Sequence, residues 1–494
     1  VFMHLNINIC FSKSFKTLNI MKHFFLIITV LFVSCSSNTA PKLALPEKLP
    51  STWISSQTSL DTFNSEWWQV FDDTTFNKHY DDFKMLSPDL KSVSKQLESS
   101  SLLAKINGAI LAPNLSIGSD GSQRKQNLSA FGFSPSALGI GTQGQDSSSS
   151  ESVISFESSN FSANLVMQWE IDIWGKLRNQ RKAAFKNFEA SYNELSYLQF
   201  SLGTRFALSY YDAVEAKMQQ SLSEQIYQSL KEVRDVVSER YERGLTSSLD
   251  LRLSESALAN SELQKINQSI QSVRLLRDLE VLLGKYPSSS LVISKTLPLS
   301  IPSVPAGIPS ELIERRPDVK AAINRMEAAS YEHVQSKRNL FPSFSLTATG
   351  GTSASDLNNI LNGDYSVWNL GANITAPIFQ SGRLRNNVKL KNSQLSISEI
   401  EAAKTMIRAF SEVEQALFVQ NAIKEQLKAV SAAEQQSKAA YLLAFDRYQK
   451  GLTDLVTVLN SQNQWRNTQS LQISVQKNQI MSFTNVLLAL GGNF

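Results

Sequence analysis

Cysteine and histidine are scarce in this sequence of 494 residues, which contains two cysteines and four histidines. Only Cys35, His79 and His333 fall in the expected mature chain, and they are far apart in sequence. Metal sites usually draw several such ligands from short, characteristic spacings, and a disulfide needs a second cysteine. We therefore expect no disulfide, no metal site and no cofactor.

Catalytic sequence motifs are missing as well. The chain has no Walker loop, no nucleophile elbow and no metalloprotease helix. A match to the dinucleotide fingerprint at 139–144 lies in a serine-rich stretch without a helical pattern after it, so it is interpreted as accidental. Glu170 and Asp172 could form an acid pair, but solvated positions on one face of a strand are the favoured interpretation. The sequence thus predicts a protein that is not an enzyme.

Neither sign of charge is in large excess, and long hydrophobic runs are absent. The 48 basic and 44 acidic residues give a net charge of +4, which indicates no basic surface for nucleic acid. The apolar run at 24–33 is much shorter than the roughly 20 residues that a transmembrane helix needs. We therefore expect no transmembrane helix.

The run at 24–33 instead has the length of a signal-peptide core. We expect translation to begin at Met21, which opens a short basic region before the run. A serine followed by Cys35 comes directly after the run and resembles the processing site of bacterial lipoproteins. We expect Cys35 to be lipidated and, because Ser36 follows it, sorted to the outer membrane. The alternative is a buried or accidental cysteine.

An internal duplication organises the rest of the chain. Gly244 and Gly451 are 207 positions apart, in turns of the form Arg-Tyr-x-x-Gly-Leu-Thr at 240–246 and 447–453. The same offset relates Gly-x-Leu-Arg at 175 to 382, and Leu-Gly at 283 to 490. Three landmarks at one spacing identify a repeated unit.

Each turn is expected to reverse the chain between two helices, because its glycine can adopt the left-handed conformation that ends a helix. The next residue, Leu245 or Leu452, can supply an apolar cap contact. Thr246 or Thr453 can then cap the returning helix. The stretch 383–449 contains neither proline nor glycine, and about 68 residues make a helix of roughly 100 Å. A solvated coiled-coil rod is the alternative interpretation of this hairpin alone.

The elements before the hairpins are also repeated. A helical pattern at 88–112 has a twin beginning at Pro317, at an offset of 229, and each is followed by two stretches of strand-like alternation. The offset later falls to 207 because the first half carries 22 extra residues. They fall within 131–158, which is rich in glycine and serine and predicts a long exposed loop. The four predicted strands lie near 114–120, 161–173, 344–349 and 368–374.

These patterns divide the chain into five regions. The stretch 1–35 is the leader and lipoprotein signal peptide, and 36–87 is an N-terminal tether with an equatorial segment. The repeats, 88–285 and 317–494, each contain a helix, two strands and a long helical hairpin, and 286–316 is a proline-rich, equatorial connector that is expected to be non-helical over 286–309. The helices 88–112 and 245–284 together match the long helix in length, so we expect them to stack end to end.

The predicted strands are long enough to cross a membrane. Strands in lipid must close into a barrel, because an open edge leaves backbone groups unsatisfied. Four are too few, since the smallest barrels have about eight, so a barrel would have to be shared between chains. Trp169, Trp174 and Trp368 near strand ends suit an interfacial aromatic belt. The alternative is a small soluble sandwich.

Several motifs together resemble the TolC/OprM family of outer-membrane efflux factors, of the lipoprotein, NodT-like type. They are Trp67-Trp68 with Phe71-Asp72-Asp73, the stretches 314–319, 341–346 and 381–384, and the two turns. The resemblance covers nearly all of the mature chain. It implies a mixed α and β membrane protein in which each chain of a homotrimer contributes four strands to a twelve-stranded outer-membrane β-barrel. The helices would form a long periplasmic α-helical barrel.

The resemblance also implies a function and partners. Members of the family are passive exit ducts of tripartite efflux pumps in Gram-negative bacteria, for drugs, solvents or metal ions. A periplasmic adaptor couples them to an inner-membrane transporter, which we expect to be of the RND type. The two turns would then be periplasmic tips that contact the adaptor. The expected contact residues are Arg240, Gly244, Leu245, Arg447, Gly451 and Leu452.

By the same resemblance, residues five to nine positions after the second turn glycine narrow the closed gate, usually with at least one aspartate. Here those positions include Val456, Thr457 and Asn460, so a neutral gate is expected. Asp454 and Asp250 are the carboxylates that could form a relocated acidic ring. Two other functions remain open: the duct of a type I protein secretion system, and a non-conducting, lipid-anchored helical scaffold.

Overall fold

The structure is a computed structural model that describes residues 53–55, 66–127, 155–298, 301–302, 304, 309 and 312–492. The α-helices of these residues are α1 (Thr74–Leu86), α2 (Pro88–Gly108), α3 (Lys176–Glu242), α4 (Ser248–Leu282), α5 (Leu312–Arg315), α6 (Pro317–Arg338), α7 (Arg383–Gln449) and α8 (Leu455–Ala489). The strands are β1 (Asn114–Asn127), β2 (Ser155–Ile171), β3 (Ser343–Ala354) and β4 (Ser366–Thr375). Short 3-10 helices occur at Trp67–Phe71, Ala109–Leu111, Leu357–Asn359 and Gly363–Tyr365.

The four strands form one antiparallel sheet in the order β1-β2-β3-β4, so β1 and β4 are its edges. All four were predicted from the alternation. The predicted exposed loop at 131–158 is wrong at its end, because Ser155 and the residues after it pair with β1 from Asn127 onward. Strand pairing is made by backbone groups and does not require apolar side chains. The polar sequence of this part of β2 therefore gave no alternation from which a strand could be predicted. The rest of that loop lies outside the described residues.

Two long hairpins dominate the helical part. α3 and α7 have 67 residues each, or about 100 Å at 1.5 Å per residue, and they return through α4 and α8. α3 packs against α2, α4, α6 and α8, whereas α7 packs against α6 and α8. α2 and α7 are therefore the outer helices near the strands, and α4 and α7 are the outer helices near the turns. No helix in the described ranges is both long and apolar enough to cross a membrane.

The shorter helices stack end to end as predicted. A Cβ placed on Gly284, just after α4, would lie 3.2 Å from Cδ of Pro88, the first residue of α2. The second repeat has the same junction, where a Cβ on Gly491 would lie 2.9 Å from Cα of Arg316. Each pair therefore extends along the neighbouring long helix.

Aromatic side chains fill the core where α1 crosses α3. The rings of Phe83 and Phe206 stack with centroids 4.5 Å apart, and Phe71 packs edge-on to Phe483 of α8 at 5.6 Å. Truncating one such ring to alanine usually costs about 3–5 kcal/mol. The cluster fixes the equatorial segment against both hairpins.

Two segments beside this core add to the sequence expectations. In the connector 286–316, Leu312–Arg315 forms one helical turn in front of α6, after the stretch 286–309 that was predicted to be non-helical. Residues upstream of the tryptophan pair also pack on the helices. Trp53 is buried with its ring 6.3 Å from that of Phe410, and the backbone N–H groups of Ile54 and Ser55 donate to the carboxylate of Glu414 at 2.8 and 3.0 Å.

Candidate functional site

Both tip turns are Schellman motifs, as the sequence predicted. Gly244 has φ +71°, and Gly451 has φ +75°. In the first turn, the N–H of Leu245 donates to the carbonyl of Arg240 at 2.8 Å, and the N–H of Gly244 donates to Tyr241 at 2.9 Å. The second turn repeats this pattern, with distances of 2.9 and 3.0 Å. Glycine is required because a side chain is strained at such φ values.

The residues after the two glycines do not act as predicted. Leu245 and Leu452 are 61% and 71% exposed, so they supply little cap contact. Nor do the threonines cap the returning helices: Ser247 caps α4, and Asp454 caps α8. In each turn the residue after the threonine is the first to adopt the extended backbone conformation of an N-cap, so the helix begins one residue later than expected. The exposed leucines are available to a partner.

Arg240, one of the predicted adaptor contacts, is half-buried and makes contacts within the chain. Its guanidinium lies over the ring of Tyr448, 5.1 Å from the centroid, and donates to the carbonyl of Gln449 at 3.3 Å. Arg447, its counterpart in the second turn, is exposed. Arg240 therefore connects the two tips within one chain, a role that the duplication conceals because both turns read Arg-Tyr.

Tyr448 is the tip residue that the sequence analysis missed. It is 3% exposed, whereas its repeat counterpart Tyr241 is 43% exposed. Burial raises the pKa of the Tyr448 hydroxyl above its ordinary value. No signal in the sequence distinguishes the two tyrosines, since their neighbours match.

The predicted gate residues lie together at the start of α8. Val456, Thr457 and Asn460 are all exposed, and one helical turn separates the first from the last. Asp454 accepts the N–H of Thr457 at 2.6 Å, and this bond holds the pKa of its carboxyl below the ordinary value. Asp250 forms a capping box with Ser247 at the start of α4. Both carboxylates thus have a local capping function.

The pair Glu170 and Asp172 is neither an acid pair nor a pair of free solvated groups. Glu170 forms an ion pair with Lys176 at 2.5 Å. Asp172 accepts the backbone N–H groups of Leu177 and Arg178, at 3.0 and 2.8 Å. Orphan amides at a helix start attract a carboxylate, so Asp172 anchors the first turn of α3.

The tryptophans of the predicted aromatic belt and Cys35 are the remaining predicted features. Trp169 and Trp174 donate to the carbonyls of Leu111 and Pro342, at 3.0 and 2.7 Å, and Trp368 is 83% exposed near the far end of β4. Tryptophans therefore occur toward both ends of the sheet. Cys35 and the rest of the predicted signal lie outside the described residues.

Comparison with known sequences places the chain among outer-membrane efflux proteins. The sequence model of the outer membrane efflux protein family matches residues 80–285 and 308–492. The chain is 28% identical over 476 residues to the pyoverdine export outer membrane protein OpmQ of Pseudomonas putida, covering 94% of this chain and 96% of OpmQ. It is 29% identical over 336 residues to the toluene efflux pump outer membrane protein TtgF of Pseudomonas putida, covering 68% and 70%.

Solved structures show the same fold. The Campylobacter jejuni CmeC outer membrane channel superposes with a TM-score of 0.81 at 24% identity, over 92% of this chain and 95% of that one. The outer-membrane channel OprN gives a TM-score of 0.79 at 21% identity, over 92% and 99%.

The chain belongs to the outer membrane efflux protein family. It is the outer-membrane channel component of an efflux pump, a passive duct and not an enzyme. Its fold is that of these outer-membrane channels, with one four-stranded sheet and two long helical hairpins.

Proposed function

We propose that the duct exports small organic compounds, delivered by a periplasmic adaptor and an RND-type inner-membrane transporter. Relatives are named for toluene efflux and pyoverdine export, which supports small molecules over proteins as cargo. The observation that carries the duct itself, formed by three chains around one axis, is the apolar surface on both flanks of one chain. The exposed residues are Leu102, Leu103 and Ile106 on α2, Leu263, Ile266 and Ile270 on α4, and Leu390, Ile397, Ile400 and Ile407 on α7.

These flanks fit a ring of copies. A soluble monomer rarely exposes so many large apolar side chains along its helices, and β1 and β4 each leave an edge to be paired. The α2/α4 flank of one chain differs from the α7 flank, so contact between them is head-to-tail, and three such contacts close a ring. The β1 and β4 edges then pair antiparallel across the same boundary.

A disulfide test reports this contact directly. Ile106 and Leu390 lie at similar heights, because the residues next to them, Asn107 and Lys391, line the same cleft. Ile106→Cys combined with Leu390→Cys should give covalent trimers on oxidation, whereas each single variant should not. If the double variant folds natively and is oxidised but shows neither dimers nor trimers on a non-reducing gel, the arrangement is contradicted.

The proposed export is tested separately. It is measured in a host that lacks its own channel but supplies the adaptor and transporter, with toluene tolerance as the readout.

The closed end of the duct is proposed to be a neutral constriction made by Val456, with Asn460 behind it. Three copies of each exposed side chain would meet near the symmetry axis. Because Asp454 and Asp250 are engaged in helix caps, a trivalent cation such as hexaamminecobalt should block the wild-type pore only weakly. Tight block that Asp454→Asn or Asp250→Asn removes would show an acidic ring instead.

Cys35 is proposed to be the lipidated first residue of the mature protein. The export signal and the outer-membrane location support this assignment. Mass spectrometry of the mature chain should find an acylated Cys35. In the Cys35→Ala variant trimers should still form, since the shared barrel supplies most of the membrane attachment.

A further inference from the structure

The junction between a strand and a long helix occurs twice, and in the first copy the basic side chains are paired with acidic ones. At the start of α3, Lys176 pairs with Glu170 at 2.5 Å, and Arg178 pairs with Asp172 at 3.2 Å. Asp172 also occupies the free backbone N–H groups of that helix start. Each cation of the first junction therefore has an acid from the end of β2 or the residue after it.

The second junction keeps the cations but replaces the acids with apolar residues. At the offset of 207, Arg383 and Arg385 take the places of the two cations, whereas Pro377 and Phe379 take the places of the two acids. In the described part of the chain neither arginine has an ion-pair partner, and Arg383 donates to the side-chain oxygen of Gln380 at 2.6 Å. Both helix starts have a glycine at the N-cap, and Phe379 at the position of Asp172 has no carboxylate to accept the free N–H groups of α7.

In the single chain the apolar residues of the second junction are exposed, and in the proposed ring they lie beside the boundary with the next chain. Ile378 is 97% and Phe379 is 83% exposed. Together with both arginines they line a cleft of about 360 Å³ at the end of β4. Since β4 belongs to the outer-membrane barrel and α7 to the periplasmic barrel, the cleft lies at the periplasmic face of the membrane. Its chemistry, two guanidinium groups beside an exposed aliphatic and aromatic pair, complements an anionic amphiphile.

We propose that this cleft binds a glycerophospholipid of the periplasmic leaflet of the outer membrane. Arg383 and Arg385 contact its phosphate, because guanidinium groups match phosphate oxygens in geometry and charge. Ile378 and Phe379 contact its acyl chains. The first junction cannot bind a lipid in this way, because its own acids occupy the corresponding cations. The inference rests on the proposed function, which places three such clefts around each trimer.

Native mass spectrometry of the full-length trimer, released from detergent with added phosphatidylglycerol, tests the proposal. Wild type should retain up to three lipids. Each basic residue near an anionic lipid contributes about five-fold, so Arg383→Gln with Arg385→Gln should lower retention roughly 25-fold. The matched control, Lys176→Gln with Arg178→Gln, removes the same charge from the first junction and should retain lipid as wild type does. Inorganic phosphate at the same concentration should not displace the lipid.

A second variant keeps the test independent of the arginine changes. Phe379→Asp places a carboxylate in the second junction, at the position that corresponds to Asp172 of the first. This variant should release the lipid while the trimer stays intact. Equal retention in wild type and in both second-junction variants would overturn the proposal. Conducting trimers with such equal retention would refute the lipid site alone, whereas failure of the chain to form trimers would refute the proposed function as well.

Discussion

The guanidinium of Arg240 lies 5.1 Å from the ring centroid of Tyr448, and this contact joins the tips of the two hairpins. The same guanidinium donates to the carbonyl of Gln449, and a Cβ on Gly451 would lie 3.8 Å from it. One side chain thus holds the second turn beside the first. Separation of the tips requires that this contact be broken.

Arg240→Ala should favour separated tips. A cation–π contact contributes about 0.5–2 kcal/mol, so the equilibrium should shift by roughly 2- to 30-fold. Single-channel conductance of reconstituted trimers should rise accordingly. Arg243→Ala is the control, because Arg243 is exposed and pairs only with Glu239 one turn before it. Equal conductance in wild type and Arg240→Ala would show that the contact does not restrict the tips.

Proline at either tip glycine should abolish efflux without preventing assembly. In Gly244→Pro and Gly451→Pro, the ring cannot adopt a positive φ and removes the N–H that donates to the preceding turn. The distortion is confined to the tips, since nothing lies within 4 Å of a Cβ on Gly244 and only Arg240 of the other tip lies that near a Cβ on Gly451. Trimers in the outer membrane are counted on unheated gels. Wild-type efflux by both variants would count against adaptor binding at the tips.

The start of α8 should loosen in acid. The N–H of Thr457 lowers the pKa of Asp454 in the folded chain, so this stabilisation is complete above the ordinary carboxyl value. It is lost as the pH falls through the lowered folded value. Amide exchange of Thr457, corrected for its intrinsic rate, should show the loss. Asp454→Asn should cap at every pH, because asparagine caps without titrating, and an unchanged acid response in that variant would refute this assignment.

The sequence was sufficient for the features that repeat. Two glycines at one offset predicted both Schellman turns, and alternation predicted all four strands. It was not sufficient where tertiary contacts give equivalent residues different roles. Tyr241 and Tyr448 have matching neighbours, yet only the second is buried under Arg240. Asp172 could not be assigned as a cap from the sequence. The N–H groups of α3 that donate to it come close to its side chain only because the chain turns from strand to helix at this point.

Arg316 should be needed for stability. It is 3% exposed in its side chain, pairs with Asp318 at 2.6 Å and Glu412 at 2.7 Å, and donates to the carbonyl of Ala489. Arg316→Met leaves Asp318 without its cation and Glu412 with Arg408 alone, and because both carboxylates are partly exposed the loss should be about 1–3 kcal/mol. The trimer should melt at a lower temperature. Arg408→Ala is the control: its exposed contact with Glu412 is worth about 0–1 kcal/mol, and equal melting of the two variants would contradict the prediction.

Single-channel recording of the purified full-length protein in a planar bilayer tests the central claim most directly. If three chains form one continuous duct with a constricted tip, heat-resistant trimers should give discrete conductance steps. The steps should be small in wild type and larger when Val456→Ala is combined with Asn460→Ala, because the constriction is widened. Folded trimers that insert into the bilayer but carry no current in either form would contradict the account and identify a non-conducting scaffold.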